Sequence, residues 1–253
     1  MDDKAEELRR YEESARQALV SATPSQQLGS SGVASELRTP YLYYERRIQE
    51  LISPSDRVLE LGAGSGMHTG VVLQTGAHVT ASDISPAALA LLQRRLAALA
   101  PERLVTRVAD IEALPFESGS FDVVVCAGSL SYGEPSLVDA EVGRVLREGG
   151  TFLCVDSLNH NPVYRLNRWL HYRRGERTKS TLRRMPDANR IEAIGRHFKS
   201  VEVRYFGALT WMMPLLTRMF GSSRASRISD AVDELINVRR SAFKFVLVAK
   251  GRR

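Results

Sequence analysis

Two cysteines in 253 residues, Cys126 and Cys154, are too few for a disulfide framework. Both fall in apolar, strand-like runs, where a buried free thiol is the expected state and a reducing cytoplasm the expected compartment. No apolar run approaches the roughly 20 residues that cross a bilayer. The opening "MDDKAEELRRYEESARQALV" is charged throughout and lacks the apolar centre of a secretory leader. No G-x-G-x-x-G occurs at the glycine turn: counted from Gly62 the sixth position is Met67, and from Gly64 it is Thr69. With no Tyr-x-x-x-Lys either, a nicotinamide oxidoreductase is the least favoured reading. The loop "AGSLSYGEPS" (127–136) has no aspartate, and the histidines show no ligand spacing, so no catalytic metal is expected.

What is present is an ordinary globular composition, 43% hydrophobic and 25% charged. Helices are expected over 3–20 and over Ser35 to Leu51, with Thr23 to Gly32 as a linker. Strand and helix signals then alternate. "RVLEL" (57–61), "GAHVTASD" (76–83), "RLVTRVAD" (103–110), "FDVVVCAG" (121–128) and "TFLCVDSL" (151–158) read as strands. Between the second and third lies a helix with Ser85 as N-cap, Pro86 at its first position and a stripe of leucines. "PSLVDAEVGRVLREGG" reads as a helix stopped by Gly149 and Gly150. Continuous apolar strands imply a parallel sheet covered on both faces, hence a doubly wound α/β fold. Further on, helices are expected at 187–196 and 224–238, strands at 200–206 and "AFKFVLVAK", with an apolar run at 207–220 between them. That run reads as core or dimer interface, or as a patch touching lipid-linked acceptors, and Pro214 argues against one continuous helix through it.

"VLELGAGSGMHTG" is a strand, a tight turn and a helix start, where glycines let a ligand approach the backbone. Asp83 ends the second strand, where a carboxylate accepts both hydroxyls of a ribose. Asp110, followed by Ile111, suits an adenine amino group and ring face. Glu60, in the first strand, suits a cationic amino group directly or through water. Three strand ends presenting acids at one sheet edge form the crevice used by open α/β sheets. The ligand these features suggest has a ribose, an adenine and a positive amino group, without a pyrophosphate.

Through "VLELGAGSG", "SDIS", "ADIEALPFESGSFDVVVCAGSL" and "VLREGGTFLCVDS", residues 56–157 resemble the class I S-adenosylmethionine-dependent methyltransferases. The resemblance implies a seven-stranded sheet of order 3-2-1-4-5-7-6 with the last strand antiparallel. It implies S-adenosylmethionine as cofactor and S-adenosylhomocysteine as product. Glu60, Gly62, Ala63, Gly64 and Gly66 would cradle the methionine part, Asp83 and Ile84 the ribose and adenine, and Asp110 and Ile111 the adenine. Ala127 and Ser129 would approach the sulfonium. On this reading residues 1–53 are N-terminal helices with a mobile loop, and 54–250 the methyltransferase domain.

Between Arg165 and Arg184 stand eight Lys or Arg and one acid, Glu176, which leaves the rest of the chain at 6 − 7 = −1 of its formal +6. Following the fifth strand, 159–186 is expected to be a basic lid inserted over the acceptor. Asn159 and His160 lie at its start, with His160 as candidate general base for an alcohol and Tyr132 as candidate acceptor-orienting group. His68 reads as structural. Arg165, Arg168 and Tyr172 recur at helical spacing, and with Arg173 and Arg177 they suit an anionic acceptor. Tyr44, in "YLYYERR" (41–47), is expected to join them. A solvated charged face or a nucleic-acid or membrane surface remains the alternative for these arginines, though nucleic acid suits so localised a charge poorly. "AGSLSYG", "VDSLNHNPVYRLNR" and "RTKSTLRRMP" are similar to bacterial methyltransferases found with genes for surface polysaccharide synthesis. That likeness implies O-methylation of an anionic sugar, nucleotide-linked or on a lipid-linked glycan. A quinone, phenolic or lipid acceptor, or a non-catalytic S-adenosylmethionine-binding regulator, stands as alternative.

Overall fold

The computed structural model describes residues 3–20, 28–174 and 178–253. Half of the expected linker, residues 23–27, and Arg177 lie outside them. The helices are α1 Asp3–Val20, α2 Ser35–Leu51, α3 Thr69–Leu73, α4 Pro86–Leu96, α5 Pro135–Val145, α6 Pro162–Arg173, α7 Lys179–Arg184, α8 Ala188–Gly195, α9 Met213–Phe220 and α10 Ser222–Leu235. The strands are β1 Arg57–Leu61, β2 His78–Asp83, β3 Leu104–Val108, β4 Phe121–Ala127, β5 Leu146–Ser157, β6 Phe198–Phe206 and β7 Lys244–Arg252.

One sheet of order β3-β2-β1-β4-β5-β7-β6 holds all seven strands. β1 to β5 run parallel, and β7 is antiparallel to both β5 and β6. The fold is the doubly wound α/β arrangement the sequence predicts. Alternate strand residues enter two cores, one on each face. Leu59, Val124, Phe152 and Phe245 pack towards α5 and α8, while Val58, Val79, Val123 and Leu153 pack towards α2, α3 and α4. Double coverage explains why these strands carry unbroken apolar runs. β3 is the outer edge, and Val105 and Val108 are exposed there.

Local signals act as expected at α4, where the Ser85 hydroxyl accepts from the Ala88 amide at 3.1 Å and Pro86 occupies the first turn. α5 departs from expectation. It ends at Val145, and β5 starts at Leu146 rather than at Thr151. Leu146 is extended and pairs with Phe121, and the register then slips before Val123 pairs with Thr151. Gly149, at φ +77°, lies within this irregular stretch of the strand and not at a helix end. Pro214 falls in the first turn of α9, where its missing amide costs nothing, so the helix begins there.

β1 feeds β2 and β3 on one side, and β4 and β5 follow on the other. The strand order therefore reverses beside β1, and a crevice opens at the carboxyl ends of β1 and β4. Residues 159–186 leave the sheet there, form α6 and α7, and rejoin where the Asn159 amide donates to the Pro186 carbonyl at 2.7 Å.

Candidate functional site

A cavity of about 230 Å³ occupies this crevice. Gly62, Gly64, Asp83, Ile84, Asp110, Ile111, Ala127 and Ser129 all line it. Gly62 has φ +62°, and a Cβ there would come within 2.5 Å of the Ser129 Cβ, so β1 and β4 can approach this closely only at glycine. Gly64, at φ +53°, differs. A Cβ on it would meet nothing within 4 Å, because the atom would project into the cavity itself. Gly66 packs against Leu92, and neither it nor Ala63 lines the cavity.

Asp83 accepts from the Gly64 amide at 2.8 Å and the Ser85 amide at 2.9 Å, which fixes its carboxylate at the crevice floor. Burial holds its pKa above the usual carboxylate value. Asp110 accepts from the Glu112 amide at 3.0 Å and faces the Lys4 ammonium at 2.5 Å. Glu60 sits one layer deeper and does not line the cavity. Its carboxylate accepts from the Thr69 hydroxyl at 2.5 Å, and burial pushes its pKa up to about 7, with Thr69 opposing and the Asp83 charge adding.

Two helices outside the sheet close the cavity. Lys4, Glu7, Leu8 and Tyr11 of α1 line it, at helical offsets of zero, three, four and seven, together with Thr181 and Arg184 of α7. Glu7 binds the helices together by accepting from the Thr178 and Thr181 hydroxyls, each at 3.0 Å, and from Arg10. Burial pushes this carboxyl up, but the Arg10, Thr178 and Thr181 donors outweigh it and leave the pKa lowered. The hydroxyls of Tyr11 and Tyr132 are hydrogen-bonded, with their rings edge to face at 5.4 Å.

Beyond this tyrosine pair lies a second cavity of about 790 Å³. Glu7, Tyr11, Tyr132 and Thr181 line both cavities. α6 supplies Tyr164, Asn167, Arg168 and His171, again one helix face, and Ser157, Phe243, Arg10 and Ser14 complete the wall. Arg168 is 6% exposed and donates to the Leu158 carbonyl at 2.9 Å and to Asn159 Oδ1 at 3.4 Å. Burial pushes the Tyr164 phenol up to about 12.

The remaining residues singled out in the sequence lie elsewhere. His160 is in the connection ahead of the α6 N-cap, Asn161, and lines neither cavity. His68 is buried beside Tyr41 and Tyr44. Tyr44 is fully buried among core residues on the α2 side of the sheet. Arg165 and Arg173 are exposed, and Tyr172 is half-buried and outside both cavities. Of the basic segment's described arginines, Arg168 lines the second cavity and Arg184 the first, where Arg184 also pairs with Glu134 at 3.2 Å. Arg165 and Arg168 are three apart but on different faces: the face towards the cavity is set by buried Tyr164, and it runs through 167, 168 and 171. Sequence reasoning missed Lys4, Glu7, Tyr11, Asn167 and His171. The signal available was the same three-and-four spacing, anchored on Tyr164 in α6 and on Leu8 in α1. Among the described residues no group of three or more His, Cys, Asp or Glu side chains converges to hold a metal.

Residues 59–154 match a family described as methyltransferase domain. An uncharacterized Mycobacterium bovis protein is 41% identical over 112 residues, 44% of this chain and 39% of its own length. A demethylmenaquinone methyltransferase of Clavibacter sepedonicus is 35% identical over 116 residues, 44% of this chain and 45% of its own length. The match thus spans less than half of either relative. Among solved structures, the geranyl diphosphate C-methyltransferase of Streptomyces coelicolor superposes with a TM-score of 0.65 at 15% identity, covering 100% of this chain and 98% of that one. This last likeness is one of fold.

Proposed function

We propose that the chain transfers a methyl group from S-adenosylmethionine, held in the first cavity, to a small anionic acceptor held in the second. The observation that carries the reading is the pair of cavities at the sheet's reversal point, joined across Tyr11 and Tyr132. The first cavity suits the cofactor's chemistry. Gly64 leaves open the space that any other side chain would fill, and Asp83 and Asp110 offer carboxylates to ribose hydroxyls and an adenine amino group. When bound, the cofactor supplies an electrophilic methyl carbon and leaves as S-adenosylhomocysteine. Ala127 and Ser129, which line the cavity, would lie beside the sulfonium, while Glu60 and its partner Thr69 are buried behind it and line no part of it.

The chain's remaining task is to hold the acceptor in line and take its proton. Arg10 and Arg168 face the second cavity and balance an anionic group there. Residues 159–186 act as a lid over the acceptor. For a hydroxyl acceptor, His171 on the cavity wall takes the proton. The proposed base therefore moves from His160 to His171, because only the latter lines the cavity. His171→Gln is expected to lower kcat roughly 100-fold and His160→Ala less than about twofold. A fall of that size in both would leave the base unassigned to either residue.

A sugar bearing phosphate or carboxylate is the acceptor class that the polar second cavity and the likeness to polysaccharide-associated methyltransferases favour. The demethylmenaquinone methyltransferase match favours a quinone instead. Transfer of label from methyl-labelled S-adenosylmethionine into nucleotide sugars and into a lipid extract separates them, with Asp83→Ala as the control that loses transfer. Label in sugars supports the anionic reading, and label in lipids replaces it with the quinone reading. Tight cofactor binding with no label in either pool points to a binding regulator.

A further inference from the structure

α6 carries two different faces. Its inner face, through Tyr164, Arg168 and His171, walls the second cavity. Its outer face presents Leu166, Trp169 and Leu170, exposed by 58%, 47% and 41%. Apolar side chains of this size on a short helix leave an area uncovered that water does not favour. A second such surface begins at Trp211, 45% exposed, and continues along α9 through Leu215 and Met219. The segment leading to the second surface packs against α6: the Tyr164 hydroxyl, on the helix's buried face, donates to the Gly207 carbonyl at 3.4 Å. The chain has two tryptophans, and both are here.

Charge identifies the occupant. Neither 159–175 nor 207–227 contains an acid. Arg165, Arg173 and Arg174 flank the α6 surface, and Arg218, Arg224 and Arg227 flank the other, all exposed. The Arg173 guanidinium lies over the Trp169 ring at 5.5 Å. A second copy of this chain docking here would bring arginine against arginine with no acid on the patch to pair them. An RNA would satisfy the arginines but leave Leu166, Leu215 and Met219 in contact with phosphates. An anionic bilayer meets both needs. Phosphates pair with the arginine rim, tryptophans settle at headgroup level and the aliphatic side chains enter the acyl boundary. No described helix is long and apolar enough to cross a membrane, so the contact is peripheral.

We propose that the outer face of α6 and the segment 211–220 form a docking surface for an anionic phospholipid bilayer. The inference stands apart from the methyl-transfer reading, since docking requires neither cofactor nor turnover, and it can fail alone. Because α6 is shared, docking sets the second cavity directly beneath the lipid surface.

The full chain is mixed with vesicles of phosphatidylcholine alone, or with roughly 30% phosphatidylglycerol added, and followed by tryptophan emission and by flotation. Anionic vesicles are expected to shift emission to shorter wavelength and to float at least roughly tenfold more protein than neutral ones. Leu166→Ser with Met219→Ser is expected to abolish the shift, and each of Arg174→Glu and Arg218→Glu to weaken binding roughly fivefold or more. These side chains are exposed, so unchanged melting temperatures keep loss of binding distinct from loss of fold. The proposal is overturned if emission and flotation ignore both vesicle types, or if all variants float as the parent does. A dimer that shields both tryptophans without lipid, or an emission shift with an RNA oligomer but not with vesicles, also overturns it.

Discussion

Glu60, buried at the carboxyl end of β1, gives the fold a pH dependence whose sign follows from its environment. Its pKa rises from 4.5 to about 7 on folding, chiefly through burial. Below the lower value both states are protonated and the group is neutral in its effect. As pH rises from 4.5 to about 7 the unfolded chain releases its proton first, so stability falls across this window and stays lower above it. The full cost is on the order of 3 kcal/mol. Glu60→Gln keeps an acceptor for Thr69 without the charge. It is expected to stabilise the protein at pH 8 and leave it nearly unchanged at pH 4, measured by urea unfolding at each pH. An equal effect at both would mean the carboxyl is not held protonated. Gly64 yields a second prediction. Gly64→Val forces a β-branched residue to φ +53° and fills the open cradle. S-adenosylhomocysteine affinity should fall at least roughly 100-fold by calorimetry, against a stability cost of about 1–3 kcal/mol for the strained backbone. Retained affinity would remove this cavity from the cofactor reading.

At the scale of elements, α1 and α6 do the same work by the same rule. Each turns one face, at offsets of three, four and seven, towards a cavity and leaves the other to solvent or its neighbours. The sequence showed that both are helices, because periodicity is local. It did not show which face points inwards, because that depends on where the helix lands on the sheet. Arg165 and Arg168 are equally basic, and only the burial of Tyr164 beside Phe243 decides that Arg168 turns in. α1 was legible as a helix but not as a cavity wall for the same reason: Lys4 and Asp110 are brought together by the fold across 106 positions. Glu7 is the polar contact that ties α1 to the start of α7. Glu7→Ala removes the carboxylate that accepts from the buried Thr178 and Thr181 hydroxyls, which keep their bond to each other, and is expected to weaken the α1–α7 closure by about 1–3 kcal/mol. Limited proteolysis within α1 should then accelerate while the sheet stays intact. Unchanged cleavage would mean that the other contacts of α1, Lys4 with Asp110 and Glu112, Glu12 with Ser85 and the apolar packing of Ala15 and Leu19 on Ala87 and Ala88, hold the helix without it.

Across the whole molecule, legibility follows sequence distance. β1, the glycine turn and the acid-tipped strand ends each lie within a few residues of their own signals, whereas the sheet order was legible only through the resemblance to the methyltransferases. The boundary between α5 and β5 was misplaced because Leu146 suits either element locally, and its pairing with Phe121 decides the outcome. The second cavity was invisible because its wall is assembled from α1, the turn after β4, β5, α6, α7 and the residue before β7. This assembly has a consequence for dynamics. The sheet is held by two large apolar cores, whereas α1 rests on a small apolar cluster and on polar contacts, and such elements open at low free energy. A ligand in the first cavity touches α1 from within, so it must add its binding energy to the closure of that helix. At about 100 times its Kd, S-adenosylhomocysteine stabilises the bound state by roughly 2.7 kcal/mol. Hydrogen exchange is therefore expected to slow most in α1, in α7 and in the turn at Gly62 and Gly64. The slowest amides of β5 and β7 should change only with global stability. If α1 exchanges equally with and without the ligand while the glycine turn is protected, the cofactor site is complete without its helical cover. Both cavities would then stand open in solution.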